Sequence, residues 1–157
     1  MNVGEICLKN IVYVLKQDSV LDVARIMREQ KVGSVVVVDK INGEIRPQGL
    51  ITDHDLVHEV LAANIAPSVL SAEDILTSEM YCVTETQDIR NALKYLRYYG
   101  VRSAPVVNVN GVLVGLFSIE DALAKLSEEF SERMKFLSDE LINVKQNIAK
   151  NNTAITN

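Results

Sequence analysis

Apolar and polar positions follow one order along the first half of the chain and then repeat it. Residues 11–14 form a short apolar stretch of strand length. From Asp18 or Ser19 the period becomes helical, with Val20, Val23, Ala24 and Met27 on one face and Ser19 and Asp22 at capping-box spacing. Residues 34–38 then run through four valines without a polar break, which predicts a strand buried on both faces. Asn42-Gly43 signals a hairpin, residues 48–51 return, and a second helix opens at Thr52. The series recurs as apolar residues 81–83 and a helix from near Thr86 that buries Ile89, Ala92, Leu93 and Leu96. A strand at 104–107, an Asn110-Gly111 turn, a strand at 112–117 and a helix opening at Ser118 complete it. Gly100 ends the earlier of these helices as a left-handed cap; the first copy offers Lys31 near that point.

The recurrence holds residue by residue. Ile6, Val14, Val32 and Ser34 return as Ile75, Val83, Val101 and Ser103, each 69 positions on. Gly49, Thr52 and Asp55 return as Gly115, Ser118 and Asp121, each 66 positions on, so the first copy holds three extra residues in its turn. Fixed offsets mark a duplicated unit. A unit of ~70 residues buries too little surface to stand comfortably alone. The expected fold is therefore α+β: two intertwined β-α-β-β-α copies around a pseudo-twofold axis, with a shared core. The first copy is expected at residues 1–67 and the second at 68–127. Residues 62–78 link them, with Pro67 and a capped turn at 71–76.

Residues 128–157 form a helical extension. After Gly115 the chain has no Gly and no Pro, and Leu123, Leu126, Phe130, Met134, Leu137, Leu141, Val144 and Ile148 recur at near-heptad steps. The helix is expected to reach about Lys150, with residues 151–157 fraying. Arg133 and Glu140 interrupt a strict heptad, so the seam predicts a short or staggered helix contact in a homodimer, or a fold-back onto the chain's own module. Glu129 and Arg133 are spaced to support the helix.

Composition narrows the function classes. The net charge is −5 and no basic cluster stands out, which argues against a nucleic-acid partner. No apolar run approaches membrane-spanning length, and the N-terminus carries no secretion signal, so a cytoplasmic protein is expected. Cys7 and Cys82 read as two packed thiols.

The doubled unit, the Val-Gly-Ser-Val-Val-Val-Val strand and the Gly-Leu-Ile-Thr-Asp-His-Asp segment resemble a pair of cystathionine-β-synthase (CBS) domains, a Bateman module, over about residues 3–127. The resemblance implies a regulatory module that binds an adenosyl ligand (AMP, ADP or ATP, or S-adenosylmethionine) in clefts between the copies and signals to a regulated partner. No nucleophile stands with a base at motif spacing and no Gly-rich phosphate loop is present, so a binding module with no required cofactor is expected rather than an enzyme. By match, Thr52 and Ser118 would touch phosphate, and Asp55 and Asp121 the ribose hydroxyls. Arg102 matches a phosphate-reaching position, while its counterpart is Gly33, so the two sites should differ. His54 stands where the family often has Arg. The implied ligand set is Thr52, His54, Asp55, Arg102, Pro105, Ser118 and Asp121.

The residues support part of this directly. Thr52 and Ser118 sit at strand-to-helix transitions, where a helix start presents N–H groups to phosphate. The same Thr-x-x-Asp and Ser-x-x-Asp spacings also serve as helix caps. His54 and His58, one turn apart beside Asp53 and Asp55, leave open a metal-dependent hydrolase. A dimerisation adaptor with empty clefts is the third class. Tyr95, Tyr98 and Tyr99 crowd one helix, where they would stack on adenine, line a dimer contact or simply pack.

Overall fold

The computed structural model describes residues 1–76 and 79–156. Thr77 and Ser78, at the end of the expected linker, and the terminal Asn157 lie outside the described residues. The chain divides into two units, Met1–Asp121 and Ala122–Asn157.

The first unit opens with a short helix, α1 (Val3–Ile6), followed by β1 (Tyr13–Leu15), α2 (Val20–Gln30), β2 (Ser34–Ile41) and β3 (Glu44–Thr52). A single turn, α3 (Asp53–Asp55), ends the first copy's series and leads into π-helical Leu56–Leu61. The second copy is β4 (Val83–Thr84), α4 (Ile89–Tyr99), β5 (Ser103–Val107) and β6 (Leu113–Ser118), leading into α5 (Ile119–Thr156). Each copy builds a three-stranded sheet with its middle strand parallel to the first and antiparallel to the third. Val35 to Val38 are fully buried, as an uninterrupted valine run on a central strand requires. The pairing shifts register between Val37 and Val38, and at the equivalent Val106 and Val107. A pleated sheet absorbs one irregularity at the same place in both copies.

Ser19 caps α2, its Oγ accepting from the Asp22 N–H at 3.1 Å. The α4 cap is Asp88 rather than the expected Thr86, because the Asp88 carboxylate takes the Arg90 N–H at 2.9 Å. Val20, Val23, Met27, Ile89, Ala92 and Leu96 are buried; Ala24 and Leu93 are half-buried. Both helices end in a left-handed residue, Lys31 with φ 55° and Gly100 with φ 67°. The first hairpin turn has Asn42 at φ 52° and Gly43 at φ 79°, joining Ile41 to Glu44 in two residues. The second turn is not of this kind. There the Asn108 carboxamide accepts from the N–H groups of Asn110 and Val112 at 2.9 and 3.1 Å, so β5 stops at Val107. The extra residues of the first copy lengthen its hairpin.

The copies exchange their N-terminal segments. Val3 and Gly4 donate to the carbonyls of Gln87 and Glu85, at 2.9 and 2.8 Å. Ala72 and Glu73, on the short 3-10 turn Ala72–Ile75, donate to Asp18 and Lys16 at 2.8 and 2.9 Å. Every member of the second set lies 69 positions from its equivalent in the first. Each copy's opening turn therefore docks on the other copy. Val3 and Ala72 are both fully buried there. Glycine at 49 and 115 makes room for the docked segments: a Cβ on Gly115 would stand 2.5 Å from Cys7 Sγ, and one on Gly49 2.7 Å from Leu76 Cδ2. Strand β3 packs against β5 and β6, so the copies also share core between their sheets.

The second unit is helical. α5 runs unbroken through 38 residues to Thr156, past the expected end near Lys150. Within the polar stretch at its end Thr153 Oγ1 donates to the Ala149 carbonyl at 2.9 Å. Phe130, Met134, Leu137, Leu141, Val144, Ile148 and Ile155 are all more than half exposed along it.

Candidate ligand-binding site

Both expected site elements fall where a returning strand meets a helix. At the end of β3, Thr52 takes an extended backbone and α3 begins. Thr52 Oγ1 accepts from the Asp55 N–H at 3.2 Å, and the Asp55 carboxylate accepts from the Thr52 N–H at 2.8 Å. At the end of β6, Ser118 Oγ accepts from the Asp121 N–H at 3.1 Å and donates to the Asp121 carboxylate at 2.6 Å. The capping reading of these spacings thus holds in both copies. A cap fixes the hydroxyl and the carboxylate side by side, and each Asp keeps further acceptor capacity for a second donor.

The carbonyl of the residue before each buried strand closes the helix start. Gly33 accepts from the Asp53 N–H and Arg102 from the Ile119 N–H, both at 2.9 Å. These equivalent bonds bring residues 33 and 102 to the helix openings, and there the copies differ. Arg102 is largely exposed and pairs with the Glu120 carboxylate, 18 residues on. The Arg102 guanidinium, with the Glu120 backbone N–H second, holds the Glu120 carboxyl below the usual carboxylate range. In the first copy a Cβ on Gly33 would lie 3.3 Å from an Asp53 carboxylate oxygen, with no cation at the equivalent position.

At the first junction the N–H groups of Asp53, His54 and Asp55 all have acceptors. Besides the carbonyl and hydroxyl bonds above, the His54 N–H goes to the Asp53 carboxylate at 2.8 Å. The Glu120 N–H lies against its own carboxylate. An acidic side chain thus stands at each junction, Asp53 in one copy and Glu120 in the other. Sequence reasoning missed Glu120 as the partner of Arg102. The sequence offered no signal for it, since the two residues lie 18 positions apart and meet only through the fold.

Thr52, His54 and Asp55 stand together in one group; Arg102, Ser118 and Asp121 form the second. Pro105 does not join the surface group: it is buried in β5 opposite Leu116, at the place of Val36 in the first copy. The rings of His54 and His58 stack at 4.0 Å and 29°. Among the described residues no three His, Cys, Asp or Glu side chains gather to hold a metal. Tyr99 is the centre of an aromatic cluster, with Tyr81, Tyr95 and Tyr98 at ring distances of 4.5, 4.7 and 4.9 Å. Tyr81 donates its hydroxyl to Glu79 at 2.8 Å, so the rings pack on each other with wet edges. Cys7 is buried, and burial pushes the Cys82 thiol up to about 11. No helix among the described residues is long and apolar enough to cross a membrane.

This architecture has relatives. An uncharacterized protein from Methanopyrus kandleri is 31% identical over 144 residues, covering 90% of this chain and 72% of the relative. A CBS domain protein from Pyrobaculum aerophilum, solved in complex with AMP, superposes with a TM-score of 0.70 at 25% identity, over 82% of this chain and 99% of that one. Hypoxic response protein I, solved with two coordinated zinc ions, gives a TM-score of 0.69 at 25% identity, over 79% and 98%. The CBS domain model matches residues 3–62 and again 72–128. The chain belongs to the CBS domain family and carries the domain twice.

Proposed function

We propose that this chain is a regulatory module that binds an adenine nucleotide and passes the occupancy on to a partner protein. The observation that carries the reading is the doubled strand-to-helix junction, in which a hydroxyl and a carboxylate are held together at equivalent places in a chain of the CBS family. The AMP complex of the Pyrobaculum aerophilum relative supports AMP as the first ligand to test. ADP, ATP and S-adenosylmethionine share the adenosyl group and complete the set.

In this reading Asp55 and Asp121 accept ribose hydroxyls, and Thr52 and Ser118 approach the phosphate. Arg102 leaves Glu120 for the phosphate, since a guanidinium fork suits phosphate oxygens better than one carboxylate oxygen. The second site is then the tighter for phosphorylated ligands. The first has Asp53 and His54 beside it, and no cation equivalent to Arg102. Residues 1–67 and 68–127 act as one module, with 128–157 as its extension. The chain works by binding rather than catalysis. A metal-dependent hydrolase is the weaker reading, because His54 and His58 meet ring face to ring face.

Thermal unfolding with each nucleotide tests this. A ligand that binds only the folded chain adds about 2.7 kcal/mol at a hundred times its Kd, so AMP should raise the Tm in a dose-dependent way. No shift with AMP, ADP, ATP or S-adenosylmethionine would overturn the reading and leave the adaptor with empty clefts. Mass spectrometry of ligand retained through purification identifies the preferred member.

A further inference from the structure

The apolar seam of α5 is a strict heptad when its register is taken from Phe130. Met134, Leu141, Ile148 and Ile155 then occupy one core position, a, and Phe130, Leu137, Val144 and Asn151 the other, d. Arg133 and Glu140, read from the sequence as interruptions, fall at the flanking g position, where charge belongs. Lys145 falls at the opposite flank, e. The seven apolar members are 51–82% exposed in the single chain. We infer that this face is covered by α5 of a second copy, in a parallel, in-register two-stranded coiled coil.

Two independent features select that partner and that direction. In a parallel pair each g residue meets the e residue five positions on in the partner helix. Glu140 then faces Lys145 of the second copy, twice by symmetry, and Arg133 faces the neutral Ser138. An antiparallel pair overlapping the whole seam sets Glu140 against Asn147 and Lys145 against Ser138, with no ion pair. Asn151 gives the same answer. In register, the two Asn151 carboxamides meet and hydrogen-bond to each other; reversed, Asn151 faces Met134 and its amide is buried without a partner. This inference is independent of the nucleotide reading, since it uses only residues beyond the candidate sites.

Cross-linking of the full-length chain tests it. Leu137→Cys places thiols in one core layer of the parallel pair, whereas Lys135→Cys places them on the outer surface. Mild oxidation should give a reducible dimer for Leu137→Cys and none above the wild-type background for Lys135→Cys. The wild-type chain controls for Cys7 and Cys82. No cross-link at 137, or an equal one at 135, overturns the parallel pair, whatever mass the CBS repeats give by themselves. A charge swap supplies the second arm. Glu140→Lys should weaken Leu137→Cys cross-linking at limiting concentration, shifting its midpoint about fivefold, and adding Lys145→Glu should restore it. If the double swap is as weak as the single one, Glu140 does not face Lys145 and the register is wrong.

Discussion

Arg102 and Glu120 neutralise each other at the opening of the second junction, so a phosphate that recruits Arg102 competes with a carboxylate already there. Glu120→Gln removes both the competitor and a like charge facing the ligand. AMP affinity measured by calorimetry should rise about threefold, a modest change because the pair is exposed. Unchanged or weaker binding would remove Arg102 from the phosphate. Arg102→Ala should weaken AMP and leave adenosine nearly unaffected. Cys82 makes a separate prediction about pH. Burial raises its thiol from 9.0 to about 11 in the folded chain, so the unfolded chain ionises first as pH rises. The unfolded state then binds fewer protons, and stability is lost between about pH 9 and about pH 11. Thermal unfolding at pH 8 and pH 10.5 should show a larger drop for wild type than for Cys82→Ala. Equal drops would mean that the thiol is not buried as described. Of the residue-scale features, the hydroxyl and carboxylate pairs were legible from spacing and repetition. The Arg102–Glu120 pair was not, because 18 residues of strand and turn separate its members and only the fold closes that distance.

Among the elements, the two copies solve one geometric problem with different residues. Lys31 adopts the left-handed conformation that Gly100 adopts freely, with φ 55° against 67°. Lys31→Gly should therefore stabilise the fold by about 1 kcal/mol in a denaturant melt, and a loss would show that the Lys31 side chain contributes more than its backbone costs. The close approaches at Gly49 and Gly115 are also unequal. Gly115→Ala meets Cys7 Sγ and the Leu8 carbonyl, whereas Gly49→Ala meets only the far end of the Leu76 side chain. Gly115→Ala should cost about 1–3 kcal/mol and Gly49→Ala distinctly less, with Leu76→Ala relieving the second clash and not the first. Strands, amphipathic helices and the first hairpin were readable because burial imposes period and Asn-Gly imposes a turn. The second hairpin also forms, β5 returning antiparallel as β6, but Asn108 takes two N–H groups and makes its loop longer than the two-residue turn of the first. The π-helical stretch Leu56–Leu61 has no period of its own in so few residues, so nothing in the sequence announced it.

At the scale of the whole molecule, the repeats form one module because each lends its opening turn to the other. Removing residues 1–8 strips Val3, Gly4 and Leu8 from the second sheet and spares the first. Hydrogen exchange on the truncated chain should lose protection over β4 to β6 more than over β1 to β3; equal loss or none would mean the exchange of segments does not support the fold. The equal offsets in the sequence foretold a shared core, and exchange of the opening turns is the form it takes. Direction and register of the C-terminal helix pairing depend on which residue begins the heptad, which spacing alone left ambiguous. On the proposed function, two equivalent junctions in this module hold an adenine nucleotide. Isothermal titration of AMP into wild type and into the Asp55→Ala/Asp121→Ala variant tests it most directly. Saturable binding by wild type, weakened by about 1–3 kcal/mol at each altered site in the variant, is the predicted result. Undiminished AMP affinity in a folded double variant, or no binding of any adenine nucleotide by wild type, would contradict it.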